Sequence, residues 1–283
     1  TASLTLTGTS AQPITPSAAG TFCSGALTIN KPSGTSTLAG ATLKLATAGQ
    51  RLTITSGTFD LAGYSLSLTS SGTLSVGTSG TLRLQGGETI NKGALSLSSG
   101  STVEYTGNGD ASSDTYTITT LSGSYQNLTL TSTGTADDTF QLGAATDING
   151  NLIINKGILN TSGSNYAIYL NGNWSNSGTF TANTSTVTLD GANQSILGST
   201  TFSALTKSVT SAGSLTIAAT GSQTISGSLT LSGASGQLLS VLSDTPGSYV
   251  YINAAGGSSA NYLKIRDSYN AGTSINARNS TDL

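Results

Sequence analysis

The chain has 283 residues, of which only 8% are charged, with a formal net charge of −2, 36 glycines, one cysteine, one tryptophan and neither histidine nor methionine. Without histidine, one chain cannot assemble a Ser-His-Asp or Cys-His catalytic group, and with a single cysteine it cannot build an ordinary zinc site. Ten scattered basic residues and a sequence pI near 4.8 argue against a nucleic-acid partner, and no apolar run approaches the roughly 18 residues of a membrane-spanning helix.

The N-terminal stretch 1–20 stands apart. Leu4-Thr5-Leu6 alternates like a strand, but Pro13 and Pro16 then interrupt the pattern. Residues 1–20 are therefore expected to form an N-terminal arm or cap. Leu4, Thr5, Leu6 and Thr7 form a candidate assembly arm that could add a strand to a neighbouring molecule. Cys23 has no internal partner. It is either a small buried side chain or an intersubunit thiol.

From residue 21 onward, short alternating runs recur. Leu27-Thr28-Ile29, Leu43-Lys44-Leu45, Leu52-Thr53-Ile54, Leu66-Ser67-Leu68, Leu74-Ser75-Val76 and Leu82-Arg83-Leu84 are followed by Leu95-Ser96-Leu97, Leu128-Thr129-Leu130, Val187-Thr188-Leu189, Leu215-Thr216-Ile217 and Leu229-Thr230-Leu231. Apolar-polar-apolar spacing puts two large side chains on one strand face and a hydroxyl or charge on the other. Gly, Asn and Ser clusters between the runs supply corners. No segment keeps a 3.6-residue period, so helix content is expected to be near zero.

Longer intervals recur as well. Ile29-Asn30-Lys31, Ile90-Asn91-Lys92 and Ile154-Asn155-Lys156 follow one another at intervals of 61 (90 − 29) and 64 (154 − 90). Gly57-Thr58-Phe59 is echoed by Gly178-Thr179-Phe180 at an interval of 121 (178 − 57). A β-sandwich would need about 100 residues per unit. The intervals divide more naturally by about 20, within the range of solenoid coils. The fold expected is thus all-β, a parallel β-helix (β-solenoid) over residues 21–283 with coils of roughly 20 residues, each holding two or three short strands. From about residue 237 the pattern becomes less regular. Each coil carries too few inward apolar residues to bury them alone, and its neighbours cover them.

Several stretches after Ser101 carry a resemblance. Ser101-Thr102-Val103-Glu104-Tyr105-Thr106-Gly107, Tyr125-Gln126-Asn127-Leu128-Thr129-Leu130, Asn149-Gly150-Asn151-Leu152-Ile153-Ile154, Leu170-Asn171-Gly172-Asn173-Trp174-Ser175-Asn176, Ser185-Thr186-Val187-Thr188-Leu189-Asp190-Gly191 and Tyr262-Leu263-Lys264-Ile265-Arg266-Asp267-Ser268 are similar to large secreted β-strand-repeat proteins of bacteria. The likeness covers about the last two-thirds of the chain. It implies an adhesin-like parallel β-helix at the cell surface or outside the cell, and a chain that is a portion of a longer polypeptide, which the absent initiator Met also fits. It brings no catalytic, cofactor-binding or metal-binding residues.

Three roles are therefore expected, in this order. The first is an extracellular structural protein, a homo-polymer forming a surface filament, sheath or layer, or the rod of a larger adhesin. The second is a glycan-binding adhesion module using Trp174 and tyrosines such as Tyr166, Tyr169, Tyr249 and Tyr251. The third is a carbohydrate-active β-helix enzyme, which needs clustered carboxylates on one outer face. Asp110 with Asp114, and Asp137 with Asp138 and Asp147, are the candidates, against a plain reading as solvated loop acids. Their spacing lacks the Asp-x-Asp-x-Asp-Gly form of a calcium loop. Six Asn-x-Ser/Thr sequons begin at Asn127, Asn160, Asn173, Asn183, Asn193 and Asn279, a number that so Ser/Thr-rich a chain also reaches by chance.

Overall fold

A computed structural model of the protein describes residues 2–17, 21–118, 121 and 123–282. The chain is an all-β parallel β-solenoid, with strands and no helix among the described residues and with coils of about 23 residues. It divides into two compact units, Thr1–Phe140 and Gln141–Leu283.

In the first unit each coil turns through three faces, the first two of which share one long strand in the coils from Leu27 to Leu84. The first face stacks Leu4–Leu6 on the start of strand Leu27–Leu38, then on Arg51–Asp60, Thr73–Leu84 and Ala94–Leu97. Its inward positions make two unbroken aliphatic columns: Leu4, Leu27, Leu52, Leu74, Leu95 and Leu6, Ile29, Ile54, Val76, Leu97. The second face stacks Gln12–Ile14 on the far half of Leu27–Leu38, and later pairs Thr81, Leu82, Arg83 and Leu84 with strand Thr102–Tyr105, which in turn pairs with Asn127–Thr131. Leu43–Leu45, Leu66–Leu68 and Ile90–Asn91 form the third face.

The coil length differs from the expected 20. Leu4 lies opposite Leu27 and Leu43 opposite Leu66, an offset of 23 in both cases (27 − 4 and 66 − 43). Three faces leave three corners, and the corners take the extra residues, including those at the register shifts inside the long strands. The Ile-Asn-Lys triplets misled for the same reason. Ile29 belongs to the first face, opposite Leu6 and Ile54, whereas Ile90 belongs to the third, opposite Leu66. Their interval is therefore not a whole number of coils.

The second unit repeats the plan. Leu152–Lys156, Trp174–Asn176, Asn193–Leu197, Gly213–Ile217, Leu239–Ser243 and Leu263–Arg266 stack on one face. A second face runs from Thr146–Ile148 through Ile168–Leu170, Thr186–Leu189, Ala204–Ser208 and Leu229–Ser232 to Ser258–Asn261. Ile158–Asn160 pairs with Thr179–Thr181 on the third, which continues with Thr200–Phe202, Ser222–Ile225, Val250–Ala254 and Ser268–Asn270. Beyond residue 237 the faces persist while the step varies. Ile225 pairs with Ala254 at an offset of 29 (254 − 225), and Ile252 with Asn270 at an offset of 18 (270 − 252).

Core residues such as Leu27, Ile54, Leu74, Leu152 and Leu239 are completely buried. Each contributes about 1.5–3 kcal/mol by leaving water, so a coil is stable only with covered sides. Trp174 fills the second core, its ring centroid 4.9 Å from Phe180 and 5.0 Å from Phe202, with Nε1 donating to Thr200 Oγ1 at 3.0 Å. Corners stack too. Asn151 Oδ1 accepts from the Asn173 amide at 2.8 Å, and Asn173 Oδ1 accepts from the Ser195 amide at 2.8 Å. Gly198 shows what a corner demands: its φ is +78°, and a Cβ there would stand 1.9 Å from the Asn176 carbonyl oxygen.

Candidate functional surfaces

Parallel in-register stacking turns each outward strand position into a column, one residue per coil at about 4.8 Å spacing. In the first unit Thr5, Thr28, Thr53, Ser75 and Ser96 form one hydroxyl column. Thr35, Thr58, Thr81 and Thr102 form another, ending at Asn127. The second unit carries Thr188, Thr206, Thr230 and Ser259 in line. These columns are hydrogen-bonding and regular, with Arg51 beside Thr53 on the first face and Asp147 and Tyr169 leading into the Thr188 column.

One column is charged on three successive rungs. Beside the threonines of the first unit, Asp60, Arg83 and Glu104 occupy successive rungs. Arg83 Nε donates to Glu104 Oε2 at 2.8 Å, and its Nη1 lies 3.7 Å from Asp60 Oδ2. The three line a cavity of about 340 Å³ together with Gln85, Asn108 and Thr133. Burial raises the Asp60 pKa, opposed by the amide of Ala62 and by Arg83. Sequence reasoning missed this ladder, although strand parity carried the signal: each residue sits between inward apolar neighbours, as in Leu82-Arg83-Leu84. With the guanidinium between them, the two carboxylates are paired rather than poised to flank a substrate.

The expected acid clusters sit at corners. Asn108 Nδ2 donates to both Asp110 Oδ2 and Asp114 Oδ2 at 2.8 Å, and the Asp114 amide donates to Asp138 Oδ1 at 3.0 Å. Asp138 is buried and also accepts from Ser132 Oγ at 3.2 Å, so it ties the corner together, while Asp137 is exposed. Asp147, in the second unit, is exposed on a strand opposite Tyr169. Among the described residues no group of three or more His, Cys, Asp or Glu is gathered to hold a metal ion.

Two lysines hold inward positions that sequence reading assigned to no core. Lys31 follows Leu27 and Ile29 at inward parity and is buried, its Nζ donating to Gln12 Oε1 at 2.9 Å and the Thr7 carbonyl at 3.4 Å. Lys207 stands between Leu189 and Leu231, with Nζ donating to Gln194 Oε1 at 2.6 Å and to the Gly191 carbonyl. Each ammonium thus meets a glutamine and a main-chain oxygen. Burial lowers the Lys207 pKa to about 8, with Asp190 pulling the other way.

Leu4–Leu6 of the candidate arm is the first rung of its own unit, in register with Leu27, Thr28 and Ile29, and the Thr7 carbonyl accepts from Lys31. Donation to a neighbour would require releasing that rung. Cys23 is half-buried: its Sγ donates to the Gly25 carbonyl and accepts from Gln50 Nε2, both at 3.4 Å, and burial raises the thiol pKa. Trp174 is fully buried and so offers no ring to a sugar, and Tyr166 is half-buried. Tyr169, Tyr249 and Tyr251 are exposed, joined by Tyr269, which sequence reading did not single out. Of the sequons, Asn183, Asn193 and Asn279 are exposed, and Asn127, Asn160 and Asn173 are half-buried at bonded corners.

Comparison with protein-family models, with curated proteins and with solved structures gives no match.

Proposed function

We propose that the chain is an extracellular structural element, a β-solenoid that polymerises with copies of itself into a surface filament, sheath or layer, or forms the rod of a larger adhesin. The observation that carries this reading is the set of in-register hydroxyl columns. Thr5, Thr28, Thr53, Ser75 and Ser96 present an uncharged, repeating column whose hydroxyls both donate and accept. Charges stacked every coil would repel between and within copies, and the charged ladder of the first unit alternates − + −. The resemblance to secreted β-strand-repeat proteins of bacteria supports the location. Closely paired Asp60, Arg83 and Glu104 favour a scaffold over a catalyst.

Electron microscopy of the purified chain over a range of concentrations tests the proposal. Ordered polymers or sheets with a regular repeat are expected. Single particles throughout, matched by a monomer mass in sedimentation, would overturn self-assembly.

A further inference from the structure

The third face of the second unit, where Thr201 lies opposite Thr224, carries a group of exposed aromatic rings. Tyr249, Tyr251 and Tyr269 are 61%, 47% and 55% exposed, among the most exposed large apolar side chains described. Tyr251 lies opposite Tyr269 on adjacent rungs, their ring centroids 5.6 Å apart and inclined at 68°. Edge-to-face contact fixes both rings while leaving ring surface open to solvent. Tyr249 precedes Tyr251 by two positions, at the same outward parity, and the neighbouring Val250 amide donates to the Asp267 carbonyl at 2.9 Å.

The margin of the patch is polar. Ser222 lies opposite Tyr251 and is exposed, and Thr224 pairs with the half-buried Asn253. At the adjoining corner Arg266 Nε lies 3.2 Å from Asp267 Oδ2, and that carboxylate oxygen accepts from the Gly247 amide at 3.1 Å. The aliphatic residues of the strand, Val250 and Ile252, point inward. The surface is therefore phenol rings edged by hydroxyl, amide and ion-pair groups, and the strand keeps its aliphatic side chains out of reach of a protein partner.

The geometry points to a saccharide-binding platform on this face, with Tyr251 and Tyr269 stacking against the C–H faces of neutral sugar rings, and Tyr249 and the Arg266–Asp267 corner meeting their hydroxyls. A pyranose ring has the required two sides, one apolar and one hydroxylated. The rung-to-rung repeat sets successive aromatic rings along one direction, as a chain of sugars would use them.

The test is affinity electrophoresis of the full chain through gels containing soluble glucan, mannan or galactan, with pull-down on insoluble cellulose and chitin. At least one glycan should hold the wild type. Tyr251→Ala and Tyr269→Ala should each weaken binding roughly tenfold, while Tyr251→Phe retains it. Tyr169→Ala, on another face, should bind as wild type does; far-UV circular dichroism checks that each variant is folded. Wild type passing every glycan unretarded would overturn the platform, as would folded alanine variants that bind normally. Loss of self-association in those variants without any glycan effect would assign the patch to a second copy instead.

Discussion

Replacing Lys207 by Met should change how stability depends on pH, and the sign follows from the site. Lys207 occupies an inward rung between Leu189 and Leu231, and burial lowers its pKa to about 8. In the unfolded chain it titrates near the ordinary lysine value of about 10.4. Below pH 8 both states are protonated, so this group adds no pH dependence, and the native state bears the full cost of a buried cation. Between about pH 8 and 10.4 the unfolded chain keeps a proton that the native chain has released, so stability rises with pH across that window. At about 1.4 kcal/mol per pH unit, the rise amounts to at most about 3 kcal/mol, and to less where water reaches and screens the ammonium. Urea unfolding followed by far-UV circular dichroism, from about pH 7 to 10, measures it for wild type and Lys207→Met. Wild type should gain on the variant as pH increases. Buried Tyr105 and Tyr125, whose pKa values are also raised, act in both proteins and cancel in the difference. Parallel curves would refute the reasoning, because they would mean that Lys207 titrates as a solvated lysine does.

Trp174→Ala should destabilise the chain by about 4 kcal/mol, since it empties a fully buried site against Phe180 and Phe202. Trp174→Phe, which loses mainly the donor to Thr200, should cost less, about 2 kcal/mol. Urea midpoints by circular dichroism measure both, and a cost under about 1 kcal/mol for alanine would contradict the packing. Gly198 and Gly236 share a positive φ, but only Gly198 of the two has a backbone oxygen where a Cβ would go. Gly236→Ala should therefore cost about 1 kcal/mol, and Gly198→Ala at least twice that or prevent folding. Equal shifts in thermal midpoint would refute the steric argument.

The strands were legible because a two-residue alternation has only one structural meaning when corners interrupt it so often. Leu27-Thr28-Ile29 and Leu229-Thr230-Leu231 could be placed inside and outside without coordinates. Coil length was not legible. It is set by corners, whose residues are chosen for turning rather than for any period, and Ile29-Asn30-Lys31 looks like Ile90-Asn91-Lys92 although the two lie on different faces. Lys31 was hidden by its own charge: parity placed it inward beside Leu27 and Ile29, yet burying it takes Gln12 and the Thr7 carbonyl, which lie 19 and 24 residues away. The Asp60–Arg83–Glu104 ladder was half visible: parity turned each residue outward, but a column exists only once the step between coils is known. Tyr269 joins Tyr251 by the same logic, at a step of 18 (269 − 251) that no repeated motif announces.

That unevenness of step has a consequence for how such a chain can change over generations. The step from Ile225 to Ala254 is 29 (254 − 225), against 23 (66 − 43) from Leu43 to Leu66, and both keep their rungs aligned. Additions and losses are absorbed where the backbone bends, leaving the stacked stretches undisturbed. The bends around Asp244–Ser248 are accordingly the natural places to graft a foreign peptide for display, and the places where divergent descendants would differ most.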